Sequence, residues 1–278
     1  KGGRNVMRKR YLILVEILGI FLALMWLAPF YLMIVNSFKT KREIFTDTLS
    51  LPAVFSLENY YEAFERLNFI QTFFNSIFIT VTSVGIIIIF SSMAAYALSR
   101  NKSKISSVLF FVFIAAMLIP FQSVMIPLIT IFGSLDMLNR IGIIIMYLGF
   151  GSGLSIFLFY GALSGIPKTL DEAARIDGAS NFQIFWRIIF PILKPISVTV
   201  GILNTIWIWN DYLLPSLVIN QEGMETIPLK MFFFFGEYTK QWHLALAGLT
   251  LAIIPVVFGY FMAQRHIIKG VSEGAVKQ

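Results

Sequence analysis

Asn204, Trp207 and Asp211 recur at intervals of three and four, so on an α-helix they fall on one face. Asn210 and Tyr212 stand beside them, and Gln122 and Ser123 offer amide and hydroxyl groups earlier in the chain. Amides, a carboxylate and flat rings hold polar solutes by hydrogen bonding and stacking, which is the chemistry of binding rather than bond breaking. The same groups also glue packed helices together, and Trp and Tyr gather at the ends of membrane spans. The spacing leaves both roles open for these positions. Chemistry that needs more is missing. The dipeptide Gly-Lys never occurs, so there is no phosphate-binding G-x-x-x-x-G-K-[ST] loop. With two histidines, His243 and His266, and no cysteine, neither an H-E-x-x-H site nor a thiolate metal site can be written. The expectation is a chain with no catalytic set, no metal site and no cofactor of its own.

The elements that position these residues are set by composition. Of 278 residues, 57% are hydrophobic and 13% charged, with a mean hydropathy of +0.78. Soluble domains carry about 25% charged residues, so this chain is read as an all-α integral membrane protein. A helix needs roughly 20 apolar residues to cross the hydrocarbon core. Six stretches qualify, at about 12–35, 74–98, 108–133, 141–163, 196–217 and 244–263. Pro120 and Pro127 predict a kinked or broken third span. Asn204, Asn210 and Asp211 in the fifth are costly against lipid and predict an inward face. Glu16 stands alone in the first span and reads as a structural polar contact.

Basic residues give the direction. With the N-terminus inside, the inner segments hold 15 of the 22 Lys and Arg, among them Arg100, Lys102, Lys104, Lys168, Arg175, Arg187 and Lys194. That bias places both termini in the cytoplasm, although the outer cluster Lys39–Arg42 runs against it. The net charge of +7 is thereby explained as topology, without nucleic acid. The first apolar run is too long for a cleavable signal peptide. The chain reads as one transmembrane domain, with 1–72 as a first helix and outer loop, 73–265 as a core and 266–278 as a cytoplasmic tail.

Between spans four and five lies a loop with its own local code. Thr169 followed by Glu172 predicts a capping box, with a helix starting near Leu170. Ala173, Ala174 and Arg175 favour helix, and Gly178 suits the left-handed position that ends one. Ser180 followed by Gln183 predicts a second capping box. Phe182, Phe185, Trp186 and Ile189 then share a helical face, and Pro191 and Pro195 end or bend that helix. Two short helices joined by a glycine could dock in a groove of another protein or simply rest on lipid; periodicity does not separate the two.

The run Glu172-Ala173-Ala174, then Asp177-Gly178-Ala179, then Ile188, Pro191 and Pro195 resembles the EAA signature of binding-protein-dependent ABC importer permeases. The likeness extends along nearly the whole chain and is closest to the carbohydrate permeases of the maltose type. It runs through Ser37-Phe38-Lys39-Thr40, Asn59-Tyr60, Asn75-Ser76, Tyr96-Ala97-Leu98-Ser99-Arg100, Ile119-Pro120-Phe121-Gln122 and Ile126-Pro127-Leu128 to Gln264-Arg265-His266 and Gly274-Ala275-Val276-Lys277. The resemblance implies six transmembrane helices in a bacterial inner membrane and a cytoplasmic coupling loop between helices four and five. It also implies a second permease subunit, two ATPase subunits and an extracytoplasmic solute-binding protein. ATP and Mg would be bound by the ATPase. Glu172, Ala173, Ala174, Asp177, Gly178 and Ala179 would form the ATPase contact, with Glu172 facing a basic residue of the ATPase, and 270–278 would reach between the ATPase subunits. The cargo would be a sugar or oligosaccharide passing Asn204, Trp207, Asn210, Asp211 and Gln122 by alternating access. A polyol or glycerol phosphate importer of the same build is the nearest alternative. A gradient-driven transporter would call for a carboxylate relay or inverted repeats, which this sequence does not show.

Overall fold

The computed structural model describes residues 2–219, 221–235 and 240–275, with side chains except for 2–11, 260, 262–263 and 265–275. The tail expectation for 270–278 therefore lies outside the described side chains. Among the described residues regular structure is helical, apart from one isolated bridge between Phe235 and Lys240. Four helices are long and apolar enough to cross a bilayer: α1 (Gly2–Ser37), α4 (Phe69–Arg100), α7 (Arg140–Ser164) and α14 (Trp242–Ala275). Two bent pairs bring the number to six if each pair counts as one span. They are α5 (Lys104–Ala116) with α6 (Phe121–Ser134), bent by 104°, and the stretch Asn181–Ile192 with α11 (Lys194–Asn210), bent by 75°.

The third span breaks rather than kinks. Pro120 cannot donate a backbone bond and disfavours helix in the residue before it, so α5 stops and Pro120 becomes the N-cap of α6. Pro127 stays inside α6, which runs on past it. The fifth span is shorter than its apolar run suggested. It ends at Asn210, because Asp211 takes an extended backbone (ψ 128°) and its carboxylate accepts the amide of Leu213 at 3.0 Å. That cap starts a separate short helix, α12 (Leu213–Val218), so Leu217 is not part of the span.

The described chain forms two compact units. One holds residues 1–69 and 231–257. In it the apolar window of α1 is 0% buried and shows its side chains outward, whereas Val35, Asn36 and Ser37 at the end of the helix are buried. The chain after it folds tightly on polar bonds. Asn59 donates to the carbonyls of Ser37 and Lys39, at 2.8 and 2.9 Å, and the buried Lys39 ammonium donates to the Asp47 carbonyl at 2.8 Å. Phe38 packs on Phe55 and Tyr60. Helix α2 (Lys41–Thr46) opens with a full Thr40–Glu43 capping box, and the Thr40 amide and hydroxyl hold the Glu43 carboxyl below its usual range. Helix α3 (Glu58–Arg66) follows.

The other unit holds residues 70–230 and 258–278. Its centre is α7, half of whose apolar window is buried and which packs on α5, α11 and α12. Ile79 and Ile87 of α4, Tyr147, Ile156 and Phe159 of α7, and Val200 and Ile208 of α11 form the shared core. The helices approach closely at small residues, as packing inside membranes favours. A Cβ on Gly151 would fall 2.6 Å from Ile87 Cδ1 and 2.7 Å from Asn204 Oδ1, and one on Gly153 would strike Met117. The loop before α13 (Ile227–Met231) is tied to α4 and α7 by polar bonds. Asn75 donates to the carbonyls of Gly223 and Glu225, and Arg140 donates to Asn75 Oδ1 at 2.7 Å. Burial works against the charge of Glu225, but the backbone amides and the Lys230 ammonium at 3.0 Å hold its carboxyl below the usual range.

Candidate functional site

The loop between α7 and α11 is built from local signals. After Pro167 the chain enters α8 (Thr169–Ile176), with Asp171 and Glu172 in its first turn and Arg175 in its last, both favourable to the helix dipole. The expected Thr169–Glu172 capping box does not form. Lys168 is the N-cap, with no side-chain bond, and Thr169 is already helical. The reason is register: the helix starts one residue earlier than the box requires. Glu172 is left free of any capping role, exposed beside exposed Ala173, while Ala174 turns inward.

The helix ends as expected. Gly178 has φ +85°, its amide donates to the Arg175 carbonyl at 3.0 Å, and the Ala179 amide donates to the Ala174 carbonyl at 2.9 Å. These are the two bonds of a Schellman cap, and the left-handed position is cheap only for glycine. Asp177 and Gly178 are exposed. Ser180 and Gln183 then form the second capping box, with bonds of 2.8 and 3.3 Å, and start α9 (Asn181–Ile184).

A π turn, Phe185–Ile189, and the short α10 (Phe190–Ile192) continue α9 to a bend at Leu193. The π turn fits an extra residue into one helical turn and shifts the apolar face. Ile184, Phe185 and Ile189 are buried in the core, whereas Phe182 is 66% exposed. The face expected from Phe182, Phe185, Trp186 and Ile189 is therefore only partly an inner face. Trp186 lies half-buried against the rings of Phe182, Phe185 and Phe190. The bend falls at Leu193, between Pro191 and Pro195. The element has a root in the core and a polar outer rim of Glu172, Asp177, Gly178 and Ser180.

Asp171 belongs to none of the motifs that the sequence displays. It is buried, its carboxylate accepts the Tyr96 hydroxyl, and its Oδ2 lies 2.9 Å from Arg100 Nη2. Tyr96 and Arg100 sit four apart at the end of α4, on one helix face, which is the only sequence signal for the cluster.

The second group lies where α7 meets the end of α11. Asn204 is buried, donating to Ser155 Oγ at 3.1 Å and to the Val200 carbonyl at 2.9 Å. Its amide is spent between helices. Trp207 is partly exposed and meets the Tyr147 ring edge-on at 5.4 Å. Asp211 accepts the Tyr147 hydroxyl at 3.0 Å in addition to the Leu213 amide. Tyr147 thus joins Trp207 and Asp211, a partner that sequence spacing could not supply. Asn210 donates to the Ile206 carbonyl of its own helix, and Gln122 is exposed in the first turn of α6. Asp211→Ala removes both a cap and the acceptor of Tyr147, and is expected to lower thermal stability by about 2 kcal/mol. Asp211→Asn keeps a carbonyl oxygen for the cap and should lose less than half of that. Thermal unfolding in detergent checks the pair, and equal losses would remove the capping role.

Residues 87–273 match the family described as binding-protein-dependent transport system inner membrane component. The chain belongs to this family. It is a permease subunit of an ABC importer, the membrane component of a transport system that works with an ATPase and a solute-binding protein, and is not itself an enzyme. The whole α8–α11 segment lies inside the matched region. The permease is 57% identical over 275 residues to the "Probable starch degradation products transport system permease protein AmyC" of Thermoanaerobacterium thermosulfurigenes, covering 99% of this chain and 100% of that one. It is 36% identical over 272 residues to the melibiose/raffinose/stachyose import permease protein MelC of Bacillus subtilis, covering 97% and 98% of the two chains. Among solved structures it resembles a chain of a bacterial ABC transporter that imports the acidic polysaccharide alginate. The TM-score there is 0.77 and the identity 28%, over 93% of this chain and 96% of that one.

Proposed function

We propose that this permease imports a sugar or oligosaccharide, forming half of the pathway beside a second permease subunit and coupling to two ATPase subunits through the α8–α9 element. The observation that carries the coupling is the outer rim of α8. Glu172 and Ala173 are displayed, Ala174 is inward, and the Schellman cap at Gly178 fixes the end of the helix. A helix with one free edge and a rigid root suits a groove in a partner. ATP and Mg belong to the ATPase, since this sequence has no phosphate-binding loop. Both termini are placed in the cytoplasm, the side that the basic bias favours, which puts the α8–α9 element on the side where ATP is available. ATP binding closes the ATPase pair, the docked elements move together, and the permease halves open outward.

The choice of sugar rests on the named cargoes of relatives that share the full chain length. The pairing of Trp207, Tyr147 and Asp211 is consistent with it, because aromatic faces and a carboxylate suit a polyhydroxylated solute. The test is purification of the tagged chain from mild detergent with its operon partners expressed. The expected complex holds a second permease and an ATPase, and its ATPase activity rises with a solute-binding protein loaded with a maltooligosaccharide. A rise with polyol-loaded binding protein alone would move the cargo to that class.

A further inference from the structure

The end of α4 and the coupling element face each other across a cleft of about 570 Å³. On one side stand Met93, Tyr96, Ala97, Arg100 and Asn101, and on the other Arg175, Asn181, Phe182 and Phe185. Several contacts bridge it. The Tyr96 and Phe185 rings meet at 5.5 Å, Arg100 Nη1 donates to the Ile166 carbonyl at 3.2 Å, and Lys168 Nζ donates to the Arg100 carbonyl at 3.3 Å. A further tie is Asp171, whose carboxylate takes the Tyr96 hydroxyl on one oxygen and pairs with Arg100 on the other. Its side chain is 5% exposed and that of Arg100 is 13% exposed, so the pair is shielded from water. Such a pair is sensitive to the loss of one partner, because the other is left buried and charged. It is also directional, since a carboxylate held by one hydrogen bond and one ion pair from the same helix restrains the rotation of α8 about its axis.

We propose that Asp171, with Tyr96 and Arg100, is a positioning clamp that locks the coupling helix to the cytoplasmic end of α4, so that movement of α8 is passed to a membrane-spanning helix instead of being lost in the cleft. Asp171 immediately precedes Glu172, so one helical turn carries both the outward contact and the inward tie. This rests on the coupling role proposed for α8. Glu172 sets whether the ATPase binds, and Asp171 sets how much of its movement reaches the pathway.

The test uses the complete transporter in proteoliposomes with Asp171→Asn, Tyr96→Phe and Glu172→Arg. Three quantities are read: ATPase retained on purification, cargo taken up per ATP hydrolysed, and amide hydrogen exchange of residues 169–184. Asp171→Asn should keep the ATPase bound, exchange faster in that segment, and import about tenfold less cargo per ATP, the size of effect that a linking network has on coupling. Tyr96→Phe keeps the ring contact and loses only the hydroxyl, so it should act in the same direction and more weakly. Asp171→Asn with wild-type uptake per ATP and unchanged exchange overturns the clamp. If Glu172→Arg keeps its ATPase and its uptake, the docking reading fails instead. The exchange data then decide the clamp alone: a loosened 169–184 segment in Asp171→Asn supports it, and unchanged protection removes it.

Discussion

Gly151→Val is expected to remove the folded permease from the membrane. A Cβ at that position would meet Ile87 Cδ1 at 2.6 Å and Asn204 Oδ1 at 2.7 Å, so one or both must shift. Ile87 is fully buried, and Asn204 is fixed by bonds to Ser155 and to the Val200 carbonyl. Overpacking a core costs about 1–3 kcal/mol, and displacing Asn204 leaves a buried amide without its partner, at about 1–3 kcal/mol more. The expected loss is at least about 3 kcal/mol, a large share of the stability of a single domain. Gly149→Ala is the control, because a Cβ there meets nothing within 4 Å. Size-exclusion profiles of fluorescent fusions in detergent should show a monodisperse peak for Gly149→Ala and an aggregated or absent one for Gly151→Val. A normal peak for Gly151→Val would mean that α4, α7 and α11 do not meet at this point.

Glu172→Arg is expected to abolish uptake while leaving the permease folded. Glu172 is exposed and makes no cap bond, so its replacement should change stability by less than about 0.5 kcal/mol. Its proposed partner is a cation on the ATPase. Breaking a buried interfacial charge pair costs about 2–5 kcal/mol, and reversing the charge adds repulsion, so uptake should fall by at least about 100-fold. Uptake is measured in vesicles at matched permease levels. Wild-type uptake by Glu172→Arg would show that the displayed edge of α8 does not carry the coupling.

The sequence was most informative where structure is set locally. The apolar runs, the break at Pro120, the glycine at Gly178 and the Ser180–Gln183 box are each decided by a few neighbouring residues, and each was readable. Two of the failures trace to a partner far away in the chain. Span five stops at Asn210 because Asp211 serves both Tyr147 and the Leu213 amide, and spacing cannot reveal a bond between residues 64 apart. Asp171 is tied to Tyr96 across 75 positions, a bond that the local motif around Glu172 does not signal. The Thr169 box failed by one residue of register, and the π turn at Phe185–Ile189 left no mark in the periodicity that would expose Phe182. Asn204 and Trp207 were found as a pair on one face, but only tertiary structure separates the buried amide that joins α11 to α7 from the partly exposed ring.

What drives uptake decides the function of this permease most directly. The complete transporter, with its second permease, ATPase and solute-binding protein, is placed in proteoliposomes, and labelled maltooligosaccharide is supplied with the binding protein on one side and ATP on the other. Uptake should require hydrolysable ATP on the side that carries the α8–α9 element and should persist when ionophores collapse every ion gradient. Uptake that continues without ATP and stops with the ionophore would contradict ATP-driven import by this chain.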